Sequence, residues 1–102
     1  NGAVKYYGVQ VKYGYNTTFD SRTIVGDNSA ELYEKHYGNN DVKGPDPTHG
    51  THVAGIIGAN RKNNIGVKGI ADNVRIMSVR AVPNGDERDK DVANAIRYAV
   101  DN

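Results

Sequence analysis

The chain has 102 residues and a mass of 11.1 kDa, 37% hydrophobic and 25% charged, which is enough for one small core. Thirteen Lys and Arg against twelve Asp and Glu leave a net charge of +1 with no basic run, so neither nucleic acid nor an anionic membrane surface is expected as a partner. No apolar stretch approaches the roughly 20 residues of a membrane-spanning helix, and the absence of cysteine excludes disulfides, thiolate zinc and a Cys nucleophile while leaving the compartment open.

Seven of the eight aromatic residues precede position 38, and only Tyr98 follows it, so two stretches of different character are joined. Tyr7, Val9, Val11, Tyr13 and Tyr15 alternate with Gly8, Gln10, Lys12 and Gly14, the period of two expected of a half-buried strand. Asn16-Thr17-Thr18 punctuates that run, and Thr23-Ile24-Val25 reads as a short strand closed by Gly26-Asp27-Asn28. Asn28 and Glu31 have capping-box spacing, and Glu31 and Lys35 form a favourable i,i+4 pair, so a short helix is predicted over 29–37. Residues 38–47 are too rich in Gly, Pro, Asn and Asp for anything but a loop, which delivers the chain to His49.

Val74 to Val82 carries apolar residues at odd and even positions alike, as a strand covered on both faces of a parallel sheet would. Beyond Pro83-Asn84-Gly85, the positions Val92, Ala95, Ile96, Ala99 and Val100 share one helical stripe. Asp86, Glu87, Asp89 and Asp91 crowd the start of that helix, where negative charge complements the macrodipole. The second half therefore reads as helix, strand, helix, a piece of an α/β sheet.

Between loop and strand lies His49-Gly50-Thr51-His52-Val53-Ala54-Gly55-Ile56-Ile57-Gly58-Ala59. Three glycines, each costing about 1 kcal/mol relative to Ala, make this an odd helix by propensity. Small residues let a helix lie close against another backbone, and a histidine in its first turn stands where a loop meets a rigid element, a sound place for a catalytic group.

His-Gly-Thr-His-Val-Ala-Gly resembles the signature around the catalytic histidine of subtilisin-family serine proteases. The resemblance continues through Asn63-Asn64-Ile65-Gly66-Val67 and Gly69-Ile70-Ala71 and covers residues 49–102. It implies the α/β fold of that family, here a partial three-layer parallel-sheet segment over 49–102, preceded over 1–48 by a small Tyr-rich insertion of short strands and one helix. It further implies that His49 is the general base that takes a proton from a serine hydroxyl and returns it to the leaving amine. The serine would follow a Gly-Thr-Ser-like string that this chain lacks, and Asp20-Ser21-Arg22 lacks the glycine and the preceding apolar strand of the family's aspartate. The chain is accordingly expected to be an internal fragment of an endopeptidase, cut at both Asn1 and Asn102, inactive alone and completed by the rest of its catalytic domain. Peptide or protein substrates are implied, as is a secreted, periplasmic or cell-envelope location.

Two further sites follow from the resemblance. Asn63, Ile65 and Val67 match a loop that wraps calcium in many relatives with oxygen ligands, although a plain Asn/Gly turn without an ion remains open; no other cofactor is implied. Val82, Gly85, Asp86 and Glu87 occupy the place where the family offers an edge strand to the substrate backbone, although a simple loop with a helix cap remains open. Two carboxylates there would favour basic side chains upstream of the scissile bond. A metal site from His49, His52 and Asp46 lacks the i,i+4 histidines and intervening Glu of the zinc peptidases. Two other functions stand beside the protease: a binding or insertion module built on the Tyr-rich half, and a degenerate protease without its serine. A slice of sheet with open edges is also expected to self-associate.

Overall fold

A computed structural model describes residues 2–102. In chain order it contains α1 (Gly2–Val9), a π-helical segment (Gln10–Gly14), α2 (Arg22–Val25), α3 (Thr48–Gly58) and α4 (Asp89–Asp101). Among the described residues there is no strand, which overturns the expected parallel-sheet segment and the β-rich insertion before it. The reason is the non-local nature of a sheet. A strand satisfies its N–H and C=O groups only through a neighbour, whereas a helix satisfies them within itself.

The alternating run of residues 7–15 shows the difference. Its backbone closes locally, first as α1 and then through a wider turn in which the Tyr15 N–H donates to the Gln10 carbonyl at 2.7 Å. Thr23 to Val25, predicted as a strand, are instead one helical turn. The turn ends where Gly26 enters the left-handed region at φ 76° and donates to the Arg22 carbonyl at 2.7 Å. Val74 to Val82 has the composition of a central strand but no regular secondary structure. The helix predicted over 29–37 is also absent: Asn28 and Glu31 make isolated turns, with Asn28 Oδ1 accepting the Ala30 N–H at 3.0 Å. Residues 38–47 form no regular element and a helix follows at Thr48, while the second helix begins at Asp89, three residues after the Asp86 start read from the sequence.

The chain divides into two units, residues 41–79 and residues 1–40 together with 80–102. The smaller unit is built on α3. Ile70 and Ala71 donate their N–H groups to the carbonyls of Ile56 and Ile57 at 3.0 and 2.8 Å, so the returning chain satisfies two of the carbonyls that a helix C-terminus leaves orphaned. Gly69 donates to the Ala59 carbonyl at 3.1 Å, and a Cβ at Gly69 would overlap the backbone of Gly58 and Ala59. Arg61 Nη1 closes the loop by donating to the carbonyls of Gly69 and Ile70 at 3.1 and 3.2 Å. Farther on, Val74 Cγ2 would lie 2.9 Å from a Cβ at Gly58, so that glycine admits the close approach its small size suggested.

In the larger unit α4 packs with the stretch from Asp20 to Gly38, which is folded back on itself by the Gly38 N–H donating to the Val25 carbonyl at 2.7 Å. No hydrophobic side chain among the described residues is buried. The accessible surface is 8651 Å², against about 5,700 Å² expected of a folded monomer of this mass. Ile56 at 52% exposure on α3 and Ile96 at 61% on α4 illustrate apolar stripes that nothing within the chain covers.

Candidate functional site

His49 is the second residue of α3 and its side chain is exposed. The helix starts there because the Pro-Asp-Pro stretch, residues 45–47, cannot continue a helix backwards, while Asp46 Oδ1 accepts the Thr48 N–H at 3.1 Å and the Pro47 carbonyl accepts the Thr51 N–H at 2.9 Å. At the other end the helix is held by Gly69 to Ala71. The histidine thus stands on the first turn of a helix whose far end is fixed, at the mouth of a ten-residue loop. His52, one turn on, is also exposed. No group of three or more His, Cys, Asp or Glu among the described residues could hold a metal ion. Asp46 serves the start of the helix instead.

Asp20 belongs to the other unit and caps α2: its Oδ1 accepts the Arg22 N–H at 2.9 Å and its carbonyl accepts the Thr23 hydroxyl at 3.0 Å. Asn63 Oδ1 accepts the Ile65 N–H at 3.1 Å, and Asn64 at φ 55° and Gly66 at φ 65° complete a tight reversal. Calcium takes six to eight oxygen ligands, carboxylates prominent among them. From Ala59 to Ala71 there is no Asp or Glu, and the Asn63 side-chain oxygen accepts the turn's Ile65 N–H. Val82, Asp86 and Glu87 are exposed and Gly85 is half-buried, all in the irregular stretch before α4. A Cβ at Gly85 would lie 3.9 Å from the Tyr13 carbonyl oxygen at the end of the π-helical segment.

The feature that sequence reading missed is a charge cluster at the start of α4. Arg22 grips Asp91 with both guanidinium nitrogens, Nη2 to Oδ2 at 2.7 Å and Nη1 to Oδ1 at 3.2 Å, and Nη1 also donates to Asp27 Oδ2 at 2.9 Å. Lys90 Nζ donates to the same Asp27 oxygen at 2.9 Å, to the Asn28 carbonyl at 2.9 Å and to Glu34 Oε2 at 3.3 Å, and lies 4.9 Å from the centre of the Tyr37 ring. The Tyr37 hydroxyl donates to Asp91 Oδ1 at 2.6 Å, and Asn94 Nδ2 donates to the Glu34 carbonyl and the Tyr37 oxygen. Where the sequence predicts a helix over 29–37, the Asn28 carbonyl accepts from Lys90 and the Glu34 carbonyl from Asn94, and the Glu34 carboxylate accepts the Asn28 N–H at 2.8 Å.

The Asp27 side chain is fully buried. Burial opposes its ionisation, but hydrogen bonds from Lys90 and Arg22 outweigh that and hold the carboxyl below its usual range. Asp91 is held down chiefly by the Arg22 hydrogen bonds, against partial burial and with help from the Tyr37 hydroxyl. Tyr37 is pushed up by burial and by its bond to Asp91. Arg22 is raised, first through its hydrogen bonds to Asp91. Lys90 is raised too, because its bonds to Asp27 and Glu34 exceed the cost of desolvation. Asp27 Oδ1 is the one buried side-chain polar atom left without a partner among the described residues. Asp91 was read from sequence, with Asp86, Glu87 and Asp89, as a complement to the helix dipole. Its partners Arg22 and Tyr37 lie 69 and 54 residues away, beyond any local spacing rule.

The helix that follows the Pro-Asp-Pro stretch thus carries an exposed histidine in its first turn and a glycine where another stretch of chain crosses it. The sequence profile of the subtilase family matches residues 8–102, and the chain belongs to that family. It is 52% identical over 54 residues to the thermophilic serine proteinase of Bacillus sp. strain AK1, covering 52% of this chain and 14% of that protein. It is 38% identical over 86 residues to thermitase of Thermoactinomyces vulgaris, covering 78% of this chain and 31% of that protein. With the cell wall-associated protease of Bacillus subtilis strain 168 it shares 32% identity over 79 residues, 76% of this chain and 9% of that protein. The chain thus spans less than a third of the length of each of these relatives. No solved structure gives a significant match.

Proposed function

We propose that the protein to which this chain contributes hydrolyses peptide bonds with an Asp/His/Ser triad in which His49 is the general base. The observation that carries this reading is the exposed His49 on the first turn of a helix pinned at its far end, in a chain of the subtilase family. An imidazole so placed takes the proton from the attacking serine hydroxyl and gives it to the leaving amine, and a buried aspartate holds its other ring nitrogen. Serine and aspartate come from the remainder of the catalytic domain, which also covers the exposed apolar faces of α3 and α4. Residues 1–102 alone do not hydrolyse peptides.

Val82, Gly85, Asp86 and Glu87 line the substrate backbone by edge pairing, and the two carboxylates favour basic side chains upstream of the cleaved bond. Calcium at Asn63, Ile65 and Val67 is a property of the complete domain, which must bring the carboxylates; a thermal midpoint that falls on chelation and recovers with calcium supports it. The cell wall-associated relative favours export of the parent protein.

In the complete protease His49→Ala lowers kcat by about 10⁴-fold or more with the thermal midpoint retained. Activity within tenfold of the parent would overturn the assignment. So would peptide hydrolysis by purified residues 1–102 that falls on the same substitution.

A further inference from the structure

Residues 82–87 lead directly into the charge cluster at the head of α4. Three residues beyond Glu87 the chain enters that cluster, where Arg22, Asp27 and Tyr37 hold Lys90 and Asp91. On the other side a Cβ at Gly85 would lie 3.9 Å from the carbonyl oxygen of Tyr13, whose ring packs edge-on against Phe19 with centroids 4.9 Å apart. Residues 82–87 have no regular secondary structure, and α4 has no side-chain cap at Arg88. The cluster is therefore the tie that fixes where this stretch joins α4.

We propose that Arg22, Asp27 and Tyr37 are positioning residues for the substrate edge, so that residues 10–37 form a buttress of the cleft wall rather than a detachable binding module. The inference rests on the reading of residues 82–87 as that edge. The bidentate Arg22–Asp91 pair fixes the direction in which α4 begins, because a fork on a carboxylate constrains orientation as well as distance. Asp27, fully buried and shared between Arg22 and Lys90, ties the two cations to one point. Loss of this tie lets the loop drift relative to a substrate strand, and drift of about 1 Å costs up to a hundredfold where geometry governs reaction. Its effect falls on substrates long enough to pair with the loop and spares those that end at the cleaved residue.

The test uses the complete protease and two peptide substrates, one extending four residues upstream of the scissile bond and one extending a single residue. Arg22→Gln is expected to raise KM for the long peptide about fivefold or more, with kcat and KM for the short peptide unchanged. Tyr37→Phe, which removes only a hydroxyl, is expected to raise the long-peptide KM about twofold. If Arg22→Gln fails to fold, the Tyr37→Phe result decides. Equal changes for both peptides, or a lowered thermal midpoint with both KM values intact, would reduce the cluster to a structural tie and overturn the proposal. A paired control separates the underlying reading: Asp86→Lys with Glu87→Lys must shift the preference of the long peptide away from basic residues. Failure of that shift removes the edge itself and the proposal with it, whereas a shift without any Arg22 effect removes the buttress alone.

Discussion

The two units of this chain are held by different physics. In residues 41–79 α3 is held chiefly by backbone: the chain from Gly69 to Ala71 donates to its end, and glycine at 58 and 69 lets the segments close. In residues 1–40 and 80–102 α4 is held chiefly by side chains, with Arg22, Lys90, Asp27, Asp91 and Tyr37 sharing one cluster. Backbone ties tolerate changes of charge but not of volume at the crossing. Charge ties tolerate volume but not the loss of a partner. The difference assigns the units different duties: the first fixes one histidine on a helix, and the second fixes a loop through contacts that substitution can loosen by degrees.

The largest expected effect breaks the backbone-tied unit. Gly69→Ala forces a Cβ into the backbone of Gly58 and Ala59, and destabilisation of about 3 kcal/mol is expected as the segments separate. Chemical denaturation of the complete protease measures it, and a change below 1 kcal/mol would show that the crossing is not tight. Next comes the charge-tied unit. Arg22→Ala strips the fully buried Asp27 and Asp91 of a shared donor and is expected to cost about 2 kcal/mol. Hydrogen exchange at α4 should quicken while α3 stays protected. Equal quickening in both helices would contradict the independence of the two kinds of tie.

The same division governs what could be read from the residues. His-Gly-Thr-His-Val-Ala-Gly, the loop before it and the helix over it were legible because they depend on neighbours in sequence: Pro47 stops a helix from extending backwards, and apolar spacing sets the stripe of α4. The runs at 7–15 and 74–82 carried strand patterns, but a pattern describes which faces are apolar and not whether a partner strand is at hand. Without one, the first run closed on itself as helix. Asn28 and Glu31 were read as the start of a helix because their spacing suits a capping box. The Asn28 carbonyl also accepts from Lys90, 62 residues away, a partner that no rule of short range registers. For the candidate site, His49 was visible in the motif, while the support beneath residues 82–87 was invisible because Arg22 and Asp91 are 69 residues apart.

A smaller effect sharpens the comparison through pH. Asp27 and Asp91 have depressed folded pKa values, so the stability they contribute is present above the ordinary carboxylate pKa near 4 and is lost as pH falls through their folded values. Tyr37 and Lys90 are raised, so their contribution is present below about pH 10 and is lost as pH rises through the folded values. Protection of α4 amides should therefore fall at both extremes and hold between them. The C-terminal turn of α3, tied by backbone hydrogen bonds from Ile70 and Ala71, should show no matching profile. Parallel loss in both helices would assign the acid limb to general unfolding instead of the cluster.

The smallest effect carries the opposite sign and isolates propensity from packing. Gly55 lies inside α3 with nothing within 4 Å of where its Cβ would stand, in contrast to Gly58 three residues on. With no neighbour to displace, Gly55→Ala in the 102-residue chain should gain helix propensity of up to about 1 kcal/mol and raise the helical circular dichroism signal. Gly58→Ala gains the same propensity but presses a methyl against Val74 Cγ2 at 2.9 Å, so its net change should be near zero or unfavourable. If both substitutions raise helicity equally, Val74 is free to yield and the crossing at Gly58 contributes nothing to the unit. If Gly55→Ala instead lowers activity in the complete protease while raising helicity in the chain, the space beside Gly55 is filled by the rest of the domain, and the open face of α3 is the surface along which that domain closes.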